Sequence, residues 1–545
     1  MLDAQSAFDK VIHQILIRRL YLDGISGSAL SFINNRITNR STVYEWDGDF
    51  LGPARDMSGV EQGGINSGDL YKCYNNEQFV TAQSSNQGVD IGSIVVSAAG
   101  QADDALLSTN DIFNLQNLLY LTMEYCKKYN VLLCPEKTKL IGIASNKNKF
   151  ILDYQKAINP VNMNGIKIDF VQSAEHVGVI RSVDGNLPNL LNRIQSHQKA
   201  LGAVLCVGMA KGHYGNPAAG LRVEKLYGCP VLMSGLASLY LKQAEINILE
   251  THYKTTLERI QKLFSKTPRS VVFFLAGSLP AIAILHLRQL TLFIMICHLH
   301  DDPLNIHAKN VFKGRGQPKS WFSQITILSE TYGLPQPLQL LLNPPPKNAI
   351  KLHLKKKVVD FWESKLRSEA SCLSSLTYFR PGFMSLSRPH PIWTTSRNSA
   401  YETQKACVQA KMLSGRYRTE ELARFWSSNK EGFCLAKECH ETVENLEHIL
   451  LKCPALEETR RRLRSVWLAK AASSPFLHQM LISLLAGPAD TFCNFVLDPS
   501  VHPETIRLHQ QHGTIIHTEL FYLSRMWCHS LNKERLKCHG WNLRF

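Results

Sequence analysis

The spacing of apolar residues changes near residue 185, and this change limits the folds open to the chain. Before it, short apolar runs alternate with turn signals such as Asp47-Gly48 and Gly63-Gly64, a pattern typical of small strands mixed with helices. After it, long stretches such as residues 241–264 keep the spacing of an amphipathic helix. The sequence therefore predicts an α+β region followed by a mostly α-helical C-terminal region.

Two helices can be placed within the first region. Apolar residues recur at helical spacing from Val11 to Leu20, and Asp9 stands where an N-cap residue would accept hydrogen bonds from the first turn. A second helix is predicted over residues 115–129.

Five segments follow from composition and motifs. Residues 1–180 form the α+β region, and residues 181–335 are helical. A proline-rich linker and a basic helix occupy residues 336–403, where the lysines at 355–357 indicate a solvated helix face or, less readily, a phosphate contact. Residues 404–467 form a helical segment around a Cys/His cluster, and residues 468–545 form a C-terminal helical tail without a motif.

The most apolar stretch, residues 271–285, is interrupted by Pro280. A membrane span needs about 20 apolar residues, so we predict a buried helical core here and no membrane partner. The N-terminus has no apolar targeting segment, and the 14 cysteines are scattered along the chain. These features predict an intracellular protein of the nucleus or cytoplasm that is not secreted.

The net charge of +16 is unevenly distributed. Residues 1–150 carry 13 Lys and Arg against 16 Asp and Glu, whereas residues 151–545 carry 48 against 29, a net charge of +19. A basic excess of this kind favours a polyanionic partner, most often a nucleic acid. An unspecialised basic surface is the alternative.

Two acidic segments have the form that a two-metal site requires. Residues 2–9 read LDAQSAFD, and residues 101–107 read QADDALL, in which Asp103 and Asp104 stand between apolar flanks suited to a hairpin tip. Template-directed polymerases hold two divalent cations roughly 4 Å apart with carboxylates from separate strands. An isolated acidic pair is more often a surface turn, so the assignment depends on the order of the neighbouring segments.

In order, these segments resemble the reverse-transcriptase palm of LINE-type (non-LTR) retrotransposons. The first resembles motif A, and residues 62–67 (QGGINS) resemble the Gln-Gly-x-x-x-Ser of motif B. Residues 102–104 resemble the Ala-Asp-Asp of motif C, Lys137-Thr138 resembles motif D, and residues 176–178 resemble motif E. The helical region after residue 185 is similar to the thumb and connector of the same family.

The resemblance implies an RNA-directed DNA polymerase whose palm is an antiparallel sheet with packed helices. It implies that two Mg²⁺ ions are held by Asp3, Asp103 and Asp104, and that Phe8 is the steric gate against a ribose 2′ hydroxyl. Nucleotide or template would be contacted by Gln62, Gly63, Ser67 and Lys137. The implied partners are an RNA template, a DNA primer or target, and deoxynucleoside triphosphates.

Several positions depart from the family pattern. Gln101 replaces the aromatic residue before Ala-Asp-Asp, Glu61 replaces a proline common before motif B, and Cys134 stands near the asparagine of motif D. Because the motif A aspartate is residue 3, we expect the fingers and any upstream endonuclease to be missing through N-terminal truncation. Little primer extension is then expected, and a catalytically inactive nucleic-acid-binding remnant is the alternative.

A Cys/His cluster near the C-terminus has the spacing of a metal site. Cys434, Cys439, His448 and Cys453 follow the pattern C-x4-C-x8-H-x4-C, and thiolates with imidazole are the usual ligands of structural zinc. The cluster resembles the Cys-Cys-His-Cys knuckle of LINE-type proteins, in which the first spacing is usually x2. His440, beside Cys439, could substitute as a ligand. The alternative is a helical segment with three unrelated thiols. Two further pairs have no recognisable metal-site spacing, Cys528-His529 and Cys538-His539.

Overall fold

The computed structural model describes residues 1–540 except positions 3, 6, 39, 62, 92–93, 102, 144–148, 206–214, 301, 315–317, 397–398, 426–430 and 476. The structure is 62% helical, with small antiparallel sheets and a helical C-terminal region. The predicted mixture of helix and strand is confirmed. The chain divides into two compact units. The first comprises Met1–Asn192, Ile296–Ser323 and Pro337–Asn343, and the second comprises Arg193–Met295, Gln324–Gln336 and Pro344–Phe545.

The described strands belong to the first unit and form two-stranded pairs. In chain order they are β1 (Ala4–Gln5), β2 (Ser41–Trp46), β3 (Asp49–Arg55), β4 (Val89–Ile91), β5 (Ile94–Val96), β6 (Ala98–Gln101), β7 (Asp104–Leu107), β8 (Leu132–Leu133), β9 (Lys139–Leu140), β10 (Asn162–Met163), β11 (Ile166–Lys167), β12 (Asp169–Phe170), β13 (Ser173–His176) and β14 (Val179–Ser182). Five pairs join consecutive strands as antiparallel hairpins, β1 pairs antiparallel with β8, and β9 pairs parallel with β12.

Among the described residues of positions 1–160 the helices are α1 (His13–Leu22), α2 (Gly27–Thr38), α3 (Ser67–Ser84), α4 (Ile112–Tyr129) and α5 (Lys149–Ile158). The predicted helix over residues 115–129 is confirmed as α4, which begins three residues earlier because Asp111 caps it. Asp9 as the cap of α1 is wrong. The helix begins after Ile12, which offers no side-chain cap, so Asp9 lies in the preceding turn.

The middle of the chain adds α6 (Leu187–Leu205), α7 (Pro217–Val223), α8 (Cys229–Leu232), α9 (Gln243–Ile260), α10 (Arg269–Ala276), α11 (Ala281–Cys297), α12 (Pro303–Lys313), α13 (Trp321–Thr331) and α14 (Pro337–Leu342). The apolar stretch at 271–285 is buried, as predicted, but it spans two helices bent by 62° at a break that contains Pro280. In the described part of the chain, no single helix has the length and apolar character needed to cross a membrane; only α10 and α11 taken together reach both.

The C-terminal part consists of α15 (Lys347–Ser371), α16 (Pro391–Thr394), α17 (Ala400–Leu413), α18 (Glu420–Ala423), α19 (Glu457–Ser473), α20 (His478–Ala486), α21 (Ala489–Leu497), α22 (Pro503–His512) and α23 (Thr514–Cys538). The lysines at 355–357 are exposed on α15, as predicted for a solvated face. Helix α23 packs against α17, α19 and α21, and its buried Trp527 lies 5.3 Å from the ring of Trp467 and 4.9 Å from that of Phe492.

One glycine in the second unit is required for two reasons. Gly277 ends α10 with φ +60°, and a Cβ added there would lie 1.9 Å from the backbone carbonyl of Arg388. Gly333 has nearly the same backbone angle, φ +61°, but an added Cβ would meet nothing within 4 Å. The two positions therefore separate the cost of the left-handed conformation from the cost of steric overlap.

We expect Gly333→Ala to lower the free energy of unfolding by about 1 kcal/mol, the cost of a left-handed alanine. Gly277→Ala should lose a further ~2 kcal/mol or more, because backbone atoms cannot move aside as a flexible side chain would. Urea unfolding followed by circular dichroism measures both. Equal losses in the two variants would contradict the close approach at Gly277.

Candidate metal centre

A tight hairpin brings the first two cysteines together. Phe433 and Val443 pair as an isolated antiparallel bridge, and the Cys434 backbone N–H donates to the Thr442 carbonyl at 2.9 Å. The two residues after Cys439 both have positive φ, so the chain reverses direction there. The x4 spacing is accommodated by this turn, which returns Cys439 towards Cys434.

A π turn supplies the other two ligands. It covers His448–Lys452, and the Cys453 backbone N–H donates to the His448 carbonyl at 2.7 Å. A π turn contains one residue more than an α-helical turn, so residues five apart come close together. The indole N–H of Trp527 on α23 donates to the Leu450 carbonyl at 3.3 Å and helps to hold the turn in place.

The four side chains converge, which confirms the predicted clustering. Their ligand atoms all lie within 4.8 Å of one another. The Cys439 Sγ is 3.6 Å from the His448 Nε2 and 3.5 Å from the Cys453 Sγ. Bonds of about 2.3 Å to sulfur and 2.0 Å to nitrogen in a tetrahedron place ligand atoms roughly 3.5–3.8 Å apart. The group could therefore hold a metal ion of the size and preference of Zn²⁺.

The pKa shifts of the three thiols show that ionising all of them together requires a compensating positive charge. Hydrogen bonds from Cys453, His448 and His539 outweigh burial and hold the pKa of the Cys434 thiol well below its usual value. The hydrogen bond that Cys453 donates to Cys434 raises the pKa of Cys453, and burial raises the pKa of Cys439. Ionising one thiol thus opposes ionising the next, and a divalent ion removes that opposition because it neutralises several thiolates together.

Backbone and arginine groups hold the ligands from outside. Backbone N–H groups of Ala436 and Ala455 donate to the sulfurs of Cys434 and Cys439. The buried Arg460 of α19 donates from Nη2 to the Cys453 carbonyl and from Nε to Glu457 at 2.9 Å. Such partners fix the orientation of metal ligands and are part of a working site.

A second group of side chains lies behind Cys434 and joins Glu444 of the loop to Arg535 and His539 near the C-terminus. The His539 Nε2 is 4.0 Å from the Cys434 Sγ and 3.2 Å from Glu444 Oε1. Both oxygens of the buried Glu444 accept from Arg535, at 2.8 Å from Nε and 2.6 Å from Nη2. Although Cys434, Glu444 and His539 also form a possible ligand set, the carboxylate is already neutralised by the arginine. We therefore infer that Glu444 and His539 support Cys434 through hydrogen bonds rather than bind a second ion.

No sequence pattern predicts that His539, Glu444 and Arg535 support Cys434. Cys538-His539 was singled out only as a pair without recognisable spacing, and Arg535 and Glu444 stand 91 positions apart, so no local pattern connects them. The suggested substitute ligand His440 is exposed and belongs to no ligand cluster among the described residues. Cys528 and His529 are buried in α23, likewise outside any such cluster.

The predicted polymerase residues lie in the first unit. Asp103 occupies the turn between β6 and β7, and Asp104 is the first residue of β7. Within the part of the chain that the structure describes, neither belongs to a cluster of three or more metal-ligating side chains. Asp3, the third predicted carboxylate, and Gln62, a predicted nucleotide or template contact, lie outside the described residues.

The other predicted contact residues occupy loops and helix ends. Phe8 is half-buried and stacks on Tyr71 of α3 at 4.7 Å between ring centroids. Gly63 lies in a turn with φ +85°, and Ser67 is the buried first residue of α3. Lys137 is exposed in the turn between β8 and β9.

Comparison with known proteins adds no assignment. No protein-family model matches the chain, and no curated protein matches it.

We expect purified protein to contain about one zinc ion per chain. Cys453→Ser should lose it, because the hydroxyl does not replace a thiolate ligand. Cys407→Ser, which changes an equally buried thiol in α17 outside the cluster, should retain it. Metal analysis after gel filtration measures both, and full zinc content in Cys453→Ser would contradict the site.

The Glu444–Arg535 pair should contribute strongly to stability because both side chains are buried. Arg535→Lys removes the two-pronged contact and should lower the free energy of unfolding by about 3 kcal/mol. The same change at Arg507, whose pairing with Glu504 is exposed, should cost less than about 1 kcal/mol. Chemical unfolding of the zinc-loaded variants measures both, and equal costs would contradict the inferred role of burial.

Proposed function

We propose that this chain is a reverse-transcriptase protein of the non-LTR retrotransposon type, with a polymerase palm in residues 1–180. In this proposal Asp3, Asp103 and Asp104 hold two Mg²⁺ ions that activate a primer hydroxyl and the incoming triphosphate. The zinc centre and the basic residues that surround it form a separate nucleic-acid-binding region.

The main support is the pairing of two segments that the resemblance joins. The Leu2 backbone N–H donates to the Ala105 carbonyl at 2.8 Å, and the two residues form an antiparallel bridge. Leu2 belongs to the motif A segment, and Ala105 directly follows the two aspartates of the motif C segment. On its other side the motif A segment pairs with β8 through Ala4 and Leu133.

A tyrosine provides a second link between the predicted motifs. Tyr71 lies on α3, one turn after Ser67, and its ring stacks on Phe8. Its pKa is raised, first by burial and then by the negative charge of Asp103. Residues from the segments that resemble motifs A, B and C therefore share one neighbourhood, which is what a nucleotide site built from them needs.

A second candidate is nucleic-acid binding without polymerase activity. The metal centre favours it, because the centre leads directly into α19, on which Arg461, Arg462 and Arg464 are exposed. The net charge of +19 over residues 151–545 points the same way. Neither feature depends on the palm.

Both candidates predict binding of a primed RNA template that weakens steeply with salt. The logarithm of the affinity should fall by about 0.7–0.9 per phosphate neutralised for each tenfold rise in salt. The polymerase proposal further predicts weak primer extension that depends on Mg²⁺, that Asp103→Asn abolishes and that Asp90→Asn, at an exposed strand residue, does not.

The outcomes separate the two candidates. Extension lost only in Asp103→Asn supports the polymerase, whereas binding without extension in the unmodified chain supports the second candidate. Absence of binding at low salt would contradict both.

A further inference from the structure

Three side chains in the second unit, two of them buried, form a hydrogen-bonded chain that the polymerase proposal does not use. The His197 Nε2 lies 3.1 Å from both carboxylate oxygens of Glu224, and its Nδ1 lies 2.8 Å from the His252 Nε2. His197 and Glu224 are each about 1% exposed, whereas His252 is half-buried. The chain thus leads from a buried carboxylate towards the surface.

The local backbone is built around the carboxylate. Glu224 is the first residue of a π turn, Glu224–Gly228, between α7 and α8. A Cβ added to Gly228 would lie 2.1 Å from Glu224 Oε2, so a side chain at this position would displace the carboxylate from its place beside His197. π turns cost hydrogen-bond geometry and are frequent at functional sites.

The outer histidine opens onto a cavity of about 390 Å³. The lining includes the cationic side chains of Arg259 and Lys262 together with the polar side chains of Asn216 and Thr256. None of the described lining residues is acidic. The cavity is therefore suited to an anion, and phosphate is the anion that clustered arginine, lysine and histidine commonly bind.

The buried pair also determines what His252 offers to a ligand. We infer that both ring nitrogens of His197 donate, one to the buried carboxylate and one to His252, because a buried carboxylate is costly to leave without a compensating partner. The Nδ1–H of His197 then donates to the His252 Nε2, which leaves the proton of neutral His252 on Nδ1. Burial, followed by the charges of His197 and Arg259, lowers the pKa of His252 to about 4. His252 therefore acts as a neutral hydrogen-bond donor.

We propose that the cavity at His252 is a binding site for a phosphate group, in which Arg259 and Lys262 supply charge and the Glu224–His197 pair fixes His252 as a donor. This proposal is independent of the polymerase proposal. The phosphate belongs either to a free phosphate compound or to a nucleic acid.

The test is calorimetric titration of the full chain with inorganic phosphate, with pyrophosphate and with a short oligonucleotide carrying a 5′ phosphate or a 5′ hydroxyl. We expect binding of at least one phosphate ligand. Arg259→Gln should weaken that binding roughly tenfold or more, because a charge-assisted contact is lost. The matched control is Arg222→Gln, an exposed arginine of α7 outside the cavity, and it should leave the affinity unchanged.

The ligand that binds identifies the source of the phosphate. Binding of phosphate or pyrophosphate alone indicates a free phosphate compound, and binding of the oligonucleotides indicates a nucleic acid. Affinity that is equal in Arg259→Gln and the unmodified chain, or no binding of any of these ligands, would overturn the proposal.

The role of His197 needs a measurement that loss of packing alone does not change. Histidine ¹H–¹⁵N correlation spectra should show the Nδ1–H tautomer of His252 in the unmodified chain and in Arg259→Gln. In His197→Gln this preference should be lost and phosphate affinity should fall. The Nε2–H tautomer in the unmodified chain would contradict the positioning role, and this spectrum does not require any variant to fold.

Discussion

The ion pair between Glu444 and Arg535 connects the metal-binding loop to the C-terminal helix. Both side chains are almost fully buried, so each would be costly to leave unpaired, and the geometry that satisfies one fixes the other. Glu444 also accepts from the Glu420 backbone N–H at 2.9 Å, which joins α18 to the same pair. The loop bearing Cys434 and Cys439 is therefore held in its hairpin by contacts with α23 and α18.

Helix α23 also supports the π turn that carries His448 and leads to Cys453. Trp527 packs against the rings of Trp467 on α19 and Phe492 on α21 and supports the π turn that carries His448. A metal ion held by these ligands would therefore stabilise the same arrangement as the helical core. Because a preformed site is absent from an unfolded chain, binding of such an ion would contribute directly to the stability of this region.

Contacts between residues that are close in the sequence could be predicted, whereas contacts between residues far apart in the sequence could not. Cys434 and Cys453 lie close in the chain, and their spacing was sufficient to predict the cluster; burial of residues 271–285 likewise followed from local composition. His539 is 105 positions from Cys434, and nothing near either residue indicates the contact. The N-cap predicted at Asp9 is wrong because α1 begins after the apolar residue Ile12, which has no capping side chain. The carboxylate assignment depends on Asp3 and stays a prediction.

In the described part of the chain, each of the two sites includes the first residue of a π turn. Glu224 begins one and His448 begins the other. An extra residue in a helical turn weakens its hydrogen bonds, so it persists only where other contacts outweigh that loss. At Glu224 the compensating contact is the hydrogen bonding to His197, made possible by the absence of a side chain at Gly228. At His448 it is the close approach of the His448 imidazole and the Cys453 thiol across five residues, which an α-helical turn would place on different sides. In each case the backbone departs from regular geometry where a polar group must be held inside the fold.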